Sequence, residues 1–298
     1  MIAQSTRSLS PNIIGALMMV ASMACFTIND ALIKATGGAV PLFQLLVLRG
    51  LLATALIGGL AWSRGAFRAR VSRQDWGWIA LRSVSEIGAA YFFITALLNM
   101  PLANVTAILQ LLPLAVTLGS ALIYREAVGW RRMTAIAVGF CGMLLIVRPG
   151  AEGFTIWSLY ALVAVLCVTA RDLIMRRISS AAPSLLVTFS TSLGVLLAAG
   201  AASLTIPWVP VSPTLAALIG GASVFVVGGY YFSVQVMRQG DVSFVAPFRY
   251  TGLLWALVLG WVLFGEWPAP LTLLGAGIIV GASAYTMVRE RRLLRHPQ

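Results

Sequence analysis

The chain has 298 residues, of which 59% are hydrophobic and 10% charged, and its mean hydropathy is +0.91. A soluble domain carries about a quarter charged residues, so this composition excludes one and points to a chain that lives in lipid. The net charge of +12 raises nucleic acid as a partner, but the placement of the basic residues along the chain speaks against it.

Ten apolar segments follow one another, each near the roughly 20 residues that cross a hydrocarbon core of about 30 Å. The first, 12–35, carries Asn29, Asp30 and Lys34, the only lysine of the chain. The second, 41–63, opens on Pro41 and holds Arg49. The third, 75–98, holds Arg82 and Glu86 four residues apart, then Tyr91-Phe92-Phe93. The fourth, 102–123, contains Gln110 and Pro113, and the fifth, 133–147, is rich in glycine. The sixth, 154–175, carries Arg171 and Asp172, and the seventh, 183–204, opens on Pro183. The eighth, 214–237, holds Tyr230-Tyr231-Phe232, and the ninth, 242–264, holds Pro247, Arg249, Tyr250 and Trp255. The tenth, 271–288, runs into a basic tail.

With the N-terminus placed inside and ten crossings, fifteen basic residues fall on cytoplasmic segments: Arg7; Arg64, Arg68, Arg70 and Arg73; Arg125, Arg131 and Arg132; Arg176 and Arg177; Arg238; Arg289, Arg291, Arg292 and Arg295. Only Lys34 and Arg148 fall outside. That asymmetry is the positive-inside rule, and it places both termini in the cytoplasm. The basic tail is accounted for by the same bias and by contact with anionic lipid.

Cys25, Cys141 and Cys167 all lie in apolar segments, which reads as packing and offers neither a disulfide framework nor a metal spacing. The lone His296 is in the terminal tail, and the single lysine excludes a Walker A loop, so no cofactor, metal or catalytic residue is expected. Small residues before Cys25 give the first segment a loose likeness to a cleavable signal. The segment around Cys167 matches it internally, so it is expected to belong to the fold.

That match is the strongest pattern in the chain. Cys25, Thr27, Asp30, Lys34 and Pro41 recur as Cys167, Thr169, Asp172, Arg176 and Pro183 at one offset of 142 residues. Five crossings per copy turn the second copy upside down relative to the first, a geometry characteristic of transporters. The expected architecture is an all-α membrane protein of ten transmembrane helices in two inverted five-helix repeats. Its parts are an N-terminal tail 1–11, a first repeat 12–149, a second repeat 150–288 and a basic tail 289–298.

Paired signatures sharpen this: Pro113, Glu126, Gly139, Gly142 and Arg148-Pro149 in the first copy, and Pro247, Gly260, Glu266, Gly275 and Gly281 in the second. In these residues the chain resembles the EamA form of the drug/metabolite transporter superfamily. The resemblance implies a central cavity between the halves, alternating access, a bacterial inner-membrane location and a small-molecule substrate. Exporters of amino acids and of drugs both belong to that superfamily. An amino acid is the expected substrate, and efflux of organic cations is the alternative. A membrane-embedded enzyme or scaffold is a third reading, disfavoured because no histidine lies in any span and every loop is short.

A charged side chain at mid-membrane costs about 2.5–3.5 kcal/mol on insertion scales, so those retained usually face a cavity or a partner. Two readings are open for the gating candidates. Asp30 with Arg49, and Asp172 with Arg249, could form alternating outer and inner gates. Alternatively, Asp30–Lys34, Asp172–Arg176 and Arg82–Glu86 are local pairs, since each has i,i+4 spacing on a helix. The substrate-binding candidates are Glu86, Tyr91, Gln110, Tyr230, Arg249 and Tyr250. Glu86 would meet an amine or carry a proton, so proton coupling stays open. Arg249 would meet a carboxylate, and the tyrosines supply an apolar wall with a polar tip.

Overall fold

The computed structural model describes residues 11–125, 130–147, 155–239 and 245–295, and among these the regular structure is helical. Helix α1 spans Pro11–Ala35, α2 Leu42–Ser63 and α3 Arg73–Asn99. Then come α4 Leu102–Leu109, α5 Leu112–Tyr124, α6 Trp130–Val147 and α7 Ile156–Met175. The remainder is α8 Ser184–Ser203, α9 Pro213–Gln239, a 3-10 turn Ala246–Tyr250 that leads into α10 Thr251–Phe264, and α11 Pro270–Arg295. Seven helical stretches are long and apolar enough to cross a membrane, with Leu102–Tyr124 counted as one; Met133–Val147, Phe248–Phe264 and Pro270–Ala282 are shorter apolar helices. Glu126, Arg148, Pro149 and His296 lie outside the described residues.

The recurring prolines set recurring helix starts. Pro41 and Pro183 both have extended backbone, at φ −52°, ψ 142° and φ −60°, ψ 135°, and α2 and α8 begin at the next residue. Proline has no N–H to leave unsatisfied and disfavours helix before it, so the same residue punctuates both copies. The turn into α2 uses Gly37 and Gly38 at φ +60° and +73°, a region that side chains with a Cβ rarely adopt.

The fourth apolar segment is not one straight helix. Pro113 cannot donate to Leu109, and its ring crowds that carbonyl, so the helix stops at Leu109 and restarts at Leu112. The ninth segment has a matching irregularity, with Pro247 at the start of its 3-10 turn. Broken segments at corresponding places in two halves are the sequence feature that most directly points to a transporter's binding region.

Packing follows the repeat. Helix α1 lies along α9, and α7, its counterpart, lies along α3, the counterpart of α9. Self-matched pairs close the arrangement: α2 against α8, α6 against α11 and α4 against α10. The correspondence reaches single atoms. A Cβ on Gly88 of α3 would sit 3.1 Å from Cys167 Sγ, and one on Gly228 of α9 would sit 3.4 Å from Cys25 Sγ. The two cysteines thus pack over glycines in equivalent helix pairs. At the α6–α11 crossing the backbones themselves meet: a Cβ on Gly275 would lie 2.5 Å from the Gly142 carbonyl oxygen. Such close approach by small residues is how helices associate where lipid supplies no hydrophobic drive.

Candidate functional site

A cleft opens among α2, α3, α8 and α9, lined by Arg49, Arg82, Glu86 and Tyr230, by hydroxyls of Thr188, Thr191 and Ser192, and by apolar side chains including Leu46, Ile57, Ala90, Val195 and Val226. Its lining comes from the first two-thirds of α2, the middle of α3 and α9 and the first half to the middle of α8.

Arg171 organises the acids at this level. It reaches from α7 to Glu86 on α3, with Nη1 3.0 Å from Oε2, and Nη2 lies 2.9 Å from Asp172 Oδ1. Its Nε also donates to Asp172 Oδ1 at 2.9 Å. Arg82 instead donates from Nη1 to the Thr191 hydroxyl of α8 at 2.5 Å. Among the described residues no ion pair joins Arg82 to Glu86, although their spacing suits one. Asp30 accepts the side-chain amide of Asn29 at 2.8 Å, and no described ion pair joins it to Lys34 or to Arg49.

Lys34 serves a different contact. Its Nζ is 3.0 Å from Glu266 Oε1 and donates to the Met100 carbonyl at 2.8 Å, while Glu266 Oε2 accepts the Leu102 N–H at 3.0 Å. The only lysine and the signature glutamate thereby tie the C-terminal ends of α1, α3 and α10 to the start of α4. Gln44 makes a second tie at the same end, donating to and accepting from the Val209 backbone at 2.8 and 2.9 Å. The opposite end has its own knot, where Asp75 accepts the Ser179 N–H and hydroxyl, each at 2.9 Å, and the Ser72 hydroxyl at 2.8 Å.

The sequence candidates therefore separate. Glu86, Arg49 and Tyr230 share the cleft, with Tyr230 edge-on to Phe26 at 5.3 Å. Tyr91 lies in an aromatic cluster beyond it, stacked on Phe43 at 6.0 Å and adjoining Phe92 and Tyr160. Gln110 is buried at the α4–α5 break. Tyr250 lines an apolar crevice between α10 and α11, and Arg249 is exposed on the 3-10 turn. Asp172 takes Arg171 as its ion-pair partner. The residues that sequence reasoning passed over are Arg82 and Arg171 as site members, and the hydroxyl run Thr188-Phe189-Ser190-Thr191-Ser192. A cluster of hydroxyls inside an apolar segment was the available signal.

Comparison with known proteins places this arrangement. The model of the EamA-like transporter family matches twice, over residues 13–148 and 155–288. The chain belongs to this family. It is a multi-pass membrane protein and a small-molecule transporter, not an enzyme. Among the EamA relatives, a riboflavin transporter of Vibrio cholerae is 31% identical over 232 residues, covering 76% of this chain and 77% of the relative. The pseudopaline exporter CntI of Pseudomonas aeruginosa is 24% identical over 275 residues, covering 90% and 94%. One solved crystal structure superposes with a TM-score of 0.64 at 20% identity, over 95% of this chain and 99% of that one, and shows a shared fold alone. Neither named relative is an amino-acid exporter.

Proposed function

We propose that this EamA protein is a secondary transporter of the bacterial inner membrane that moves a polar organic metabolite through the cleft among α2, α3, α8 and α9 by alternating access. In this reading all ten apolar segments cross the membrane, 12–149 and 150–288 are inverted repeats, and both termini are cytoplasmic. The observation that carries it is a charged, hydroxyl-lined cleft set between two matched copies of one fold. Polar ties join the copies at both ends, Lys34–Glu266 and Gln44–Val209 at one and Asp75–Ser179 at the other, and alternating access would break these sets in turn.

The riboflavin and pseudopaline relatives support a metabolite larger than a neutral amino acid. Amino-acid export would need Glu86 to leave Arg171 before it could meet an amine, while the two arginines of the cleft work against an organic cation. Counterflow in proteoliposomes with labelled riboflavin 5′-phosphate, tryptophan and tetraphenylphosphonium tests the assignment. Riboflavin 5′-phosphate is expected to exchange fastest and tetraphenylphosphonium no faster than in empty liposomes. Exchange of the cation alone would reverse the choice of substrate class, and exchange of none would count against the reading.

A further inference from the structure

We infer that Arg49 and Arg82 form a receptor for an anionic group, a carboxylate or a phosphate, carried by the transported molecule. The inference rests on the cleft being the transport site. Both arginines line it, one from α2 and one from α3. Neither has a carboxylate partner among the described residues, and the Nε of each is buried without a hydrogen-bond partner. Both residues are half-buried with the Nε of each shut off from solvent, and a guanidinium edge desolvated without an acceptor is costly. The nearby acids, Asp30 and Glu86 for Arg49 and Glu86 and Asp172 for Arg82, act on the two guanidiniums only from beyond ion-pair distance. Glu86 and Asp172 are both held by Arg171, and Asp30 is bonded to Asn29.

The hydrogen bonds around the pair leave donors directed at the cleft. Thr191 accepts from Arg82 Nη1 and spends its own proton on the Val187 carbonyl at 2.8 Å, so it anchors one corner of the guanidinium and leaves the Nε edge free. Thr188 likewise donates to the Ser184 carbonyl at 2.8 Å, and Ser192 is bonded to Thr54 at 2.7 Å. A planar fork held at one corner is well shaped to meet a carboxylate or phosphate through two parallel N–H groups. The repeat adds a positional argument. Thr191 stands at the offset of 142 residues from Arg49, so the position that carries an arginine in one copy anchors an arginine in the other. Both guanidiniums thus converge on the α2–α8 pair, where the two copies meet.

Two measurements on the detergent-purified full chain decide this. The first compares thermal unfolding in chloride buffer: Arg49→Gln and Arg82→Gln are expected to melt at or above the wild-type temperature, because neither loses a carboxylate partner, whereas Arg171→Gln melts lower. The second adds millimolar citrate or pyrophosphate at matched ionic strength. Either anion is expected to raise the wild-type midpoint by linkage, and each glutamine variant to lose most of that rise. Failure of either glutamine variant to fold, destabilisation of both to the level of Arg171→Gln, no anion shift in the wild type, or a shift retained in both variants would each overturn the receptor. Counterflow separates this result from the transport reading. An anion shift without exchange of any solute sinks transport through the cleft, and exchange without an anion shift sinks the receptor alone.

Discussion

Arg171→Gln is expected to be the most damaging single change among the charges in the bundle. Arg171 holds Glu86 at 3.0 Å, with the two side chains 19% and 20% exposed, and Asp172 at 2.9 Å, which is 35% exposed. Removing one partner of a buried pair costs about 3–5 kcal/mol because the other charge is left uncompensated. With a fifth of each side chain still in contact with solvent the lower end applies to Glu86, and water takes over most of the Asp172 charge. The expected loss is about 3 kcal/mol, roughly a 150-fold change in the unfolding equilibrium. Unfolding in mixed micelles, followed by far-UV circular dichroism for the wild type, Arg171→Gln, Glu86→Gln and the double variant, measures it. The double variant should recover most of the loss, since no buried charge is then left alone. A single variant costing under about 1 kcal/mol, or a double variant as unstable as the sum of the singles, would refute the coupling.

The tie at the other end yields a conformational test. Glu266→Gln weakens the bond to Lys34 and to the Leu102 N–H, each at 3.0 Å, and a charge-assisted hydrogen bond contributes about 1.5–3 kcal/mol. A reporter cysteine in place of the buried Val40, in a background lacking the native cysteines, should then react about tenfold faster with a membrane-impermeant maleimide. Equal labelling rates would remove the tie from the gating scheme. Gly275→Ala places a Cβ 2.5 Å from a backbone oxygen that cannot step aside, and about 2 kcal/mol of stability should be lost, whereas Gly277→Ala, with open space around it, should be neutral or better. Equal melting of the two variants would show that α6 and α11 are not in close backbone contact. Of the acids on α1, α3 and α7 at this level, Asp30 is the one without a described ion pair, so an imposed pH gradient should accelerate exchange in the wild type and not in Asp30→Asn. Equal acceleration of both would assign the proton to another group.

The sequence made the helices and their starts legible because lipid leaves few choices: an apolar run must be helical, and matched prolines mark matched beginnings. The break at Gln110–Leu111 was harder to see, since hydropathy averages across a kink and Pro113 sits in an unbroken apolar run. The charged cleft was legible in three of its lining residues and not in its bonds. Glu86, Arg49 and Tyr230 stand out as polar groups in apolar segments. Local i,i+4 arithmetic pairs Glu86 with Arg82, yet packing of α7 on α3 brings Arg171, 85 residues away in sequence, to the same carboxylate and outcompetes the local partner. A partner on a facing helix can approach end-on, while one on the same helix must bend its side chain along the surface, and no single-helix rule contains that choice.

The positions where the copies agree and those where they differ divide the labour. Cys25 and Cys167 over their glycines, and Pro41 and Pro183 before their helices, are backbone and packing features, and two copies of one fold need them in both halves. A substrate is not two-fold symmetric, so a site that straddles the junction of the copies must break the match to recognise one end of it. Arg49 opposite Thr191 is such a break. It lies on α2 and α8, the pair that meets across the two copies, and the threonine that replaces the arginine is the acceptor that holds Arg82 in the cleft. Divergence at that one pair of positions converts what would have been two facing arginines, mutually repelled, into two arginines set at different places around one opening.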